Sequence, residues 1–115
     1  MAETYQIDYL EFPSVDGRKS RRFFEEAFGW SFIDYGPTYH AIEAAGIEAG
    51  IQADSSEATA APLAIVRTSD LEAAQRAVEL AGGVITRAAF DFPGGRRFHF
   101  REPGGNEMAV WRSRE

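Results

Sequence analysis

Few side chains in this chain can do chemistry, and their types narrow the choice at once. There is no cysteine among the 115 residues, which excludes disulfide frameworks, thiolate metal sites, iron–sulfur clusters and cysteine nucleophiles. Two histidines, His40 and His99, are the only imidazoles, and imidazole with carboxylate is what Zn, Ni, Mn and Fe sites need. They fall one in each half of the chain with no carboxylate at a predictive spacing, so both are expected at sheet edges or the surface. Tyr9 and Glu11 stand two apart in a strand-like segment, which puts phenol and carboxylate on one face beside Ile7. That pair suits acid–base chemistry without a metal, with Glu11 as base. The preferred reading is structural: Glu11 pairs with Arg67, because a buried carboxylate needs a partner. Tyr39 reads as sheet filler.

The elements that position these groups follow from periodicity. Residues 5–12 are mostly β-formers closed by Pro13-Ser14, a strand. Asp16-Gly17 opens a helix to Phe28, with Phe23, Phe24, Ala27 and Phe28 at helical spacing and Gly29 as the stop. Arg21 with Glu25 and Arg22 with Glu26 are four apart and can pair on its wet face. Strands are expected over 30–35, 39–44 and 47–52, separated by Gly36-Pro37 and Gly46. Residues 54–61 are small and polar, a linker. A strand over 63–67 leads to Ser69-Asp70-Leu71-Glu72, which has the Ser-x-x-Glu form of a capping box. A second helix then places Leu71, Ala74, Val78 and Ala81 on one face, ending at Gly82-Gly83. Three strands close the chain, over 84–90, 96–101 and 107–112, with turns at Pro93-Gly94-Gly95 and Pro103-Gly104-Gly105-Asn106.

The order β-α-β-β-β therefore occurs twice, as module one (1–53) and module two (62–115). Asp16 to Gly29 repeats as Asp70 to Gly83 at an offset of 54, and His40, Glu43, Gly46 and Glu48 repeat as His99, Glu102, Gly105 and Glu107 at an offset of 59. The five extra residues are assigned to a longer hairpin around Pro93-Gly94-Gly95. One duplication of this length signals a two-module domain with pseudo-twofold symmetry.

Paired β-α-β-β-β modules, with Phe23-Phe24-Glu25-Glu26-Ala27-Phe28-Gly29-Trp30 and Glu102-Pro103-Gly104-Gly105-Asn106-Glu107, resemble the vicinal oxygen chelate superfamily of glyoxalase I, bleomycin resistance proteins and extradiol dioxygenases. Phe24 stands where a Tyr is common there, and Glu102 where an Asp is common. The resemblance implies an α+β fold whose two βαβββ modules form a curved, cup-shaped sheet around a ligand. Enzymatic members place a divalent metal in the cup, held by His or Glu from the first and last strand of each module. Those four places are Tyr9, Gly50, Leu63 and Ala109 here, of which only a phenol can ligate at all, and poorly. The expectation is no metal and no cofactor. Alternation then lines the cup with Tyr9, Glu11, Gly50, Leu63, Ile65, Arg67, Ala109 and Trp111, while Leu10, Phe12, Ala64 and Val66 pack under the helices.

An apolar concavity with few polar groups suits a small organic molecule. Trp111 and Tyr9 can stack on an aromatic or cationic one. A formal net charge of −6 is the wrong sign for a nucleic-acid backbone binder. Arg18, Lys19, Arg21 and Arg22, and likewise Arg96, Arg97 and Arg101, are expected to be solvated. No apolar run approaches a membrane span and no signal-peptide pattern begins the chain, so a cytoplasmic protein is expected. The resemblance also implies a homodimer. Three functions follow: a metal-free domain that sequesters or senses a small molecule; a glyoxalase-like lyase or dioxygenase with displaced ligands, or metal-free acid–base chemistry through Glu11 and Tyr9; and an assembly module with a vestigial cup.

Overall fold

The computed structural model describes residues 4–114. Its elements are β1 (Gln6–Pro13), α1 (Gly17–Phe28), β2 (Ser31–Asp34), β3 (Tyr39–Glu43), β4 (Glu48–Gln52), β5 (Leu63–Arg67), α2 (Leu71–Leu80), β6 (Val84–Phe92), β7 (Gly95–Arg101) and β8 (Glu107–Ser113). The fold is α+β with the βαβββ order carried twice. The described residues divide into two compact units, Tyr9–Leu63 and residues 4–8 together with 64–114.

In the first unit β1 pairs with β4 in parallel, and β4-β3-β2 continue as antiparallel neighbours. Helix α1 covers one face. Asp16, in extended conformation, caps it by accepting from the Lys19 amide at 3.1 Å, and Gly29 ends it at φ 70°. Such a left-handed cap suits a residue without Cβ. Beneath α1 lie Ile42, Ala49 and Ile51, with Leu10, Phe12, Phe24, Trp30 and Phe32 against them. Phe24 is the phenyl group that turns inward, whereas Phe23 and Phe28 are each 60% exposed. The apolar face of α1 is narrower than its spacing suggests. Both expected i,i+4 pairs form, Arg21–Glu25 at 3.2 Å and Arg22–Glu26 at 3.5 Å.

The second unit repeats the plan: β5 pairs with β8 in parallel, and β8-β7-β6 are antiparallel. Its core is Leu71, Ala74, Phe98, Phe100 and Val110, with Val66, Val78, Ile85 and Met108 against it. The cap of α2 is Asp70, which accepts from the Ala73 amide at 3.0 Å. The expected Ser69–Glu72 box does not form. With Asp70 as cap, Glu72 sits one position too early in the helix to reach back.

Strand register corrects the repeat. Glu11 and Ala41 both lie opposite Gly50, while Ile65 and His99 both lie opposite Ala109. The offset is therefore 54 from Glu11 to Ile65, 58 from Ala41 to His99 and 59 from Gly50 to Ala109. The surplus of five lies partly in β6, which is bulged between Ile85 and Arg87 and between Arg87 and Phe90, and partly in the last turn. His99 thus corresponds to Ala41, and the counterpart of His40 is Phe98.

Candidate functional site

On the helix-free face of the first unit, β1 brings Tyr9 and Glu11, β3 brings Tyr39, and β4 brings Gly50. Gly50 is the hinge of the arrangement. A Cβ built there would overlap the hydroxyls of both Tyr39 and Tyr9, so the bare backbone leaves a lane in which two phenols meet. The hydroxyls are 2.6 Å apart, and that of Tyr39 donates to Glu11 Oε2 at 3.0 Å. Glu11 is only 5% exposed.

Proton counting orders this chain. A carboxylate only accepts, and a phenol has one proton. The Tyr39 proton is committed to Glu11, so Tyr9 donates to the Tyr39 oxygen. Burial first, then the negative charge of Glu11, pushes the Tyr39 phenol far above its ordinary value of 10.0. Tyr39 is thus a fixed donor to Glu11.

The second unit has a different face. Ile65 and Ala109 are buried neighbours, at 3% and 0% exposure. The Arg67 guanidinium lies 4.8 Å from the Trp111 ring centroid, and the Trp111 indole donates to Asp8 Oδ1 at 2.9 Å. Arg67 turns to Asp8 as well, at 3.9 Å. Within its own unit Arg67, expected beside Glu11, is directed to Asp8 and Trp111, and within the first unit Tyr39 donates to Glu11. Arg67 also occupies a face of the indole that was expected to stack on a ligand. Leu63, at the start of β5, is fully buried.

Both histidines are buried, contrary to their expected edge or surface placement. His99, 2% exposed, lies on the helix-free face. Its Nδ1 is 3.2 Å from Glu107 Oε2, which also accepts from Thr86 at 3.0 Å. Burial and then the Arg97 charge lower the His99 pKa below 6.5 against the opposing pull of Glu107. The neutral ring donates through Nδ1 and keeps a lone pair on Nε2, an atom with no partner among the described residues. Arg97, expected in solvent, is 7% exposed, with its guanidinium 5.3 Å from Phe90 and 5.6 Å from Phe92. Arg96 and Arg101 remain half-exposed and exposed surface groups respectively, Arg96 on Asp91 at 2.9 Å and Arg101 on the Gly105 carbonyl at 2.9 Å.

His40, 3% exposed, lies on the opposite face, under α1. Its Nδ1 meets Asp34 Oδ1 at 2.6 Å, and Arg21 takes the same oxygen at 2.6 Å. The His40 bond, then Arg21, holds the Asp34 carboxyl below its ordinary value. A Cβ at Gly17 would strike the His40 ring, so this histidine seats the helix.

Sequence reasoning missed Tyr39 and His99. The available signal for Tyr39 was Gly50 itself, since a strand glycine invites a cross-strand aromatic to lie over it. His99 was hidden by the slip of one residue in the repeat.

The fold and its sites define a class: a doubled βαβββ protein with titratable groups on the helix-free faces. The chain belongs to the Glyoxalase/Bleomycin resistance protein/Dioxygenase superfamily, whose model matches residues 6–110. Comparison with curated proteins yields no match. Among solved structures it is similar to an NAD-dependent benzaldehyde dehydrogenase from Legionella pneumophila (13% identity, 91% of this chain and 97% of that one, TM-score 0.75). It is also similar to methylmalonyl-CoA epimerase from Mycobacterium tuberculosis (15%, 92% and 86%, 0.68). A third is the Mn(II)-bound glyoxalase from Novosphingobium aromaticivorans (19%, 93% and 38%, 0.64). At these identities the likeness is one of fold.

The metal of enzymatic superfamily members can be tested on the donor set. Tyr9 has its hydroxyl on Tyr39. Gly50 has no side chain, and the space for one is taken by phenol oxygens. Leu63 and Ala109 are buried hydrocarbon. No group of three His, Cys, Asp or Glu side chains converges among the described residues. These residues do not fit a divalent cation.

Proposed function

We propose that this protein binds a small organic molecule on its helix-free faces without a metal, sequestering or sensing it. The observation that carries this reading is Gly50: the space that a ligating side chain would need there is filled by the Tyr9 and Tyr39 hydroxyls. Glu11 supplies a buried negative charge and the phenols supply aromatic surface, which favours an aromatic cation. Homodimerisation and a cytoplasmic setting belong to the same proposal; among the described residues no helix is long and apolar enough to cross a membrane.

The test has two arms. Metal analysis of protein purified without chelators should find no stoichiometric Ni, Zn, Mn or Fe. A thermal-shift screen with aromatic amines should find stabilisation, about 2.7 kcal/mol at a hundredfold excess over the dissociation constant, lost in Glu11→Gln. Stoichiometric metal, or no shift with any amine, overturns the reading. A second reading, acid–base catalysis through Glu11 and Tyr9, draws on the ordered Tyr9–Tyr39–Glu11 chain. It requires turnover that Glu11→Gln abolishes.

A further inference from the structure

The units differ sharply where helix meets sheet. In the first unit the Phe24 and Trp30 rings stack 5.2 Å apart at 25°, with Phe12 at 6.2 Å from Phe24. Register and caps identify the counterparts. Val66 matches Phe12, and Val78 matches Phe24, each at the offset of 54. Gly83 follows the left-handed Gly82 as Trp30 follows the left-handed Gly29. An indole and two phenyl groups are thus replaced by a hydrogen and two isopropyl groups.

Helix α2 does not close the gap. A cavity of about 280 Å³ remains, lined by Val66, Val78, Gly83, Phe100 and Val110 among others, with Glu102 as the one charged side chain in its lining. A dry cavity of roughly 150 Å³ already takes a benzene ring. Backbone N–H groups of Gly104 and Asn106 hold the Glu102 carboxyl below its ordinary value and fix it in place.

We propose that this cavity is a second binding site, on the helix side of the second unit, for a free aromatic molecule of indole size that carries a cationic amine. The size is that of the rings which fill the matching place in the first unit. The charge preference follows from Glu102, which attracts an ammonium group and repels a carboxylate.

An amide NMR titration of the full chain with tryptamine, indole and indole-3-acetate tests this. Saturable shifts are expected at Val78, Gly83 and Phe100, strongest for tryptamine and weakest for indole-3-acetate. Val78→Phe, which installs the residue of the first unit, should weaken tryptamine by at least about tenfold. Ala77→Leu, at an exposed helix position on the same cavity, should do likewise if Val78→Phe disturbs folding. Glu102→Gln should remove the preference for tryptamine over indole at the Val78, Gly83 and Phe100 amides while leaving any shifts at Tyr9 and Tyr39 as they were, which separates this site from the helix-free face. Absent shifts at Val78, Gly83 and Phe100, or shifts there undiminished in the two filling variants, overturn the proposal. So does concentration-dependent self-association through these amides, which would make a second copy the occupant.

Discussion

Over Gly50 in the first unit, two phenols and a carboxylate close the helix-free face. Beside Ala109 in the second, a neutral imidazole and arginines packed on aromatic rings take that place. The opposite faces differ too: stacked rings fill the space under α1, whereas the space beside α2 holds a cavity. One backbone plan therefore supports two chemistries because packing is local. Each sheet position is read by the side chains directly across it, and a glycine on one strand decides what its neighbours can do. The first unit spends its large side chains on internal contacts, and the second leaves room.

The comparison can be broken by substitution. The largest effect is expected for Phe24→Ala, about 3 kcal/mol in urea denaturation, since it removes a ring from a stacked cluster. Val78→Ala at the matching place should cost about 1 kcal/mol, because a cavity already adjoins it. Equal losses would mean that the two helix–sheet seams are packed alike. Gly50→Ala should cost about 2 kcal/mol by driving a methyl group into the Tyr9 and Tyr39 hydroxyls. Its mirror, Ala109→Gly, should cost about 1 kcal/mol through backbone entropy. Chemical denaturation of both variants checks the pair.

Tyr39→Phe removes the phenol's hydrogen bond to Glu11 and should cost about 1.5 kcal/mol. Its tyrosine ultraviolet difference spectrum should report the release of Tyr9. The smallest effect is a pH dependence confined to the second unit. The His99 pKa is lowered on folding, so the unfolded chain binds the proton more readily. His99 thus costs nothing above pH 6.5, and stability falls as pH drops below it. Glu107 on β8, Arg97 on β7 and Arg87 on β6 are the charges that face this ring. The difference between wild type and His99→Gln in urea midpoints across pH 5 to 8 (roughly the histidine range) should show that slope, and an NMR midpoint above 6.5 would contradict it.

Much of the plan was legible because it rests on short-range rules. The period of two assigned Tyr9, Glu11, Gly50 and Ala109 to the face away from the helices, and Leu10, Phe12 and Val66 to the face beneath them. Asp16 and Gly29 announced the ends of α1. What failed did so by one residue. Ser69 was read as a cap one position before Asp70, and His40 was matched to His99 one position out of register.

What the residue order determined alone was the doubled βαβββ pattern, the helix boundaries of α1, and a donor-poor set at Tyr9, Gly50, Leu63 and Ala109. The first two depend on periodicity and residue type, which need no partner to be read, and the third on the superfamily resemblance that those patterns carry. Tertiary structure alone decided that Tyr39 closes over Gly50, that Arg67 turns to Asp8, and that His99 and His40 lie on opposite faces. The reason is physical: a bulge or a longer turn shifts a strand by a single residue, and a single residue moves every side chain to the other side of the sheet.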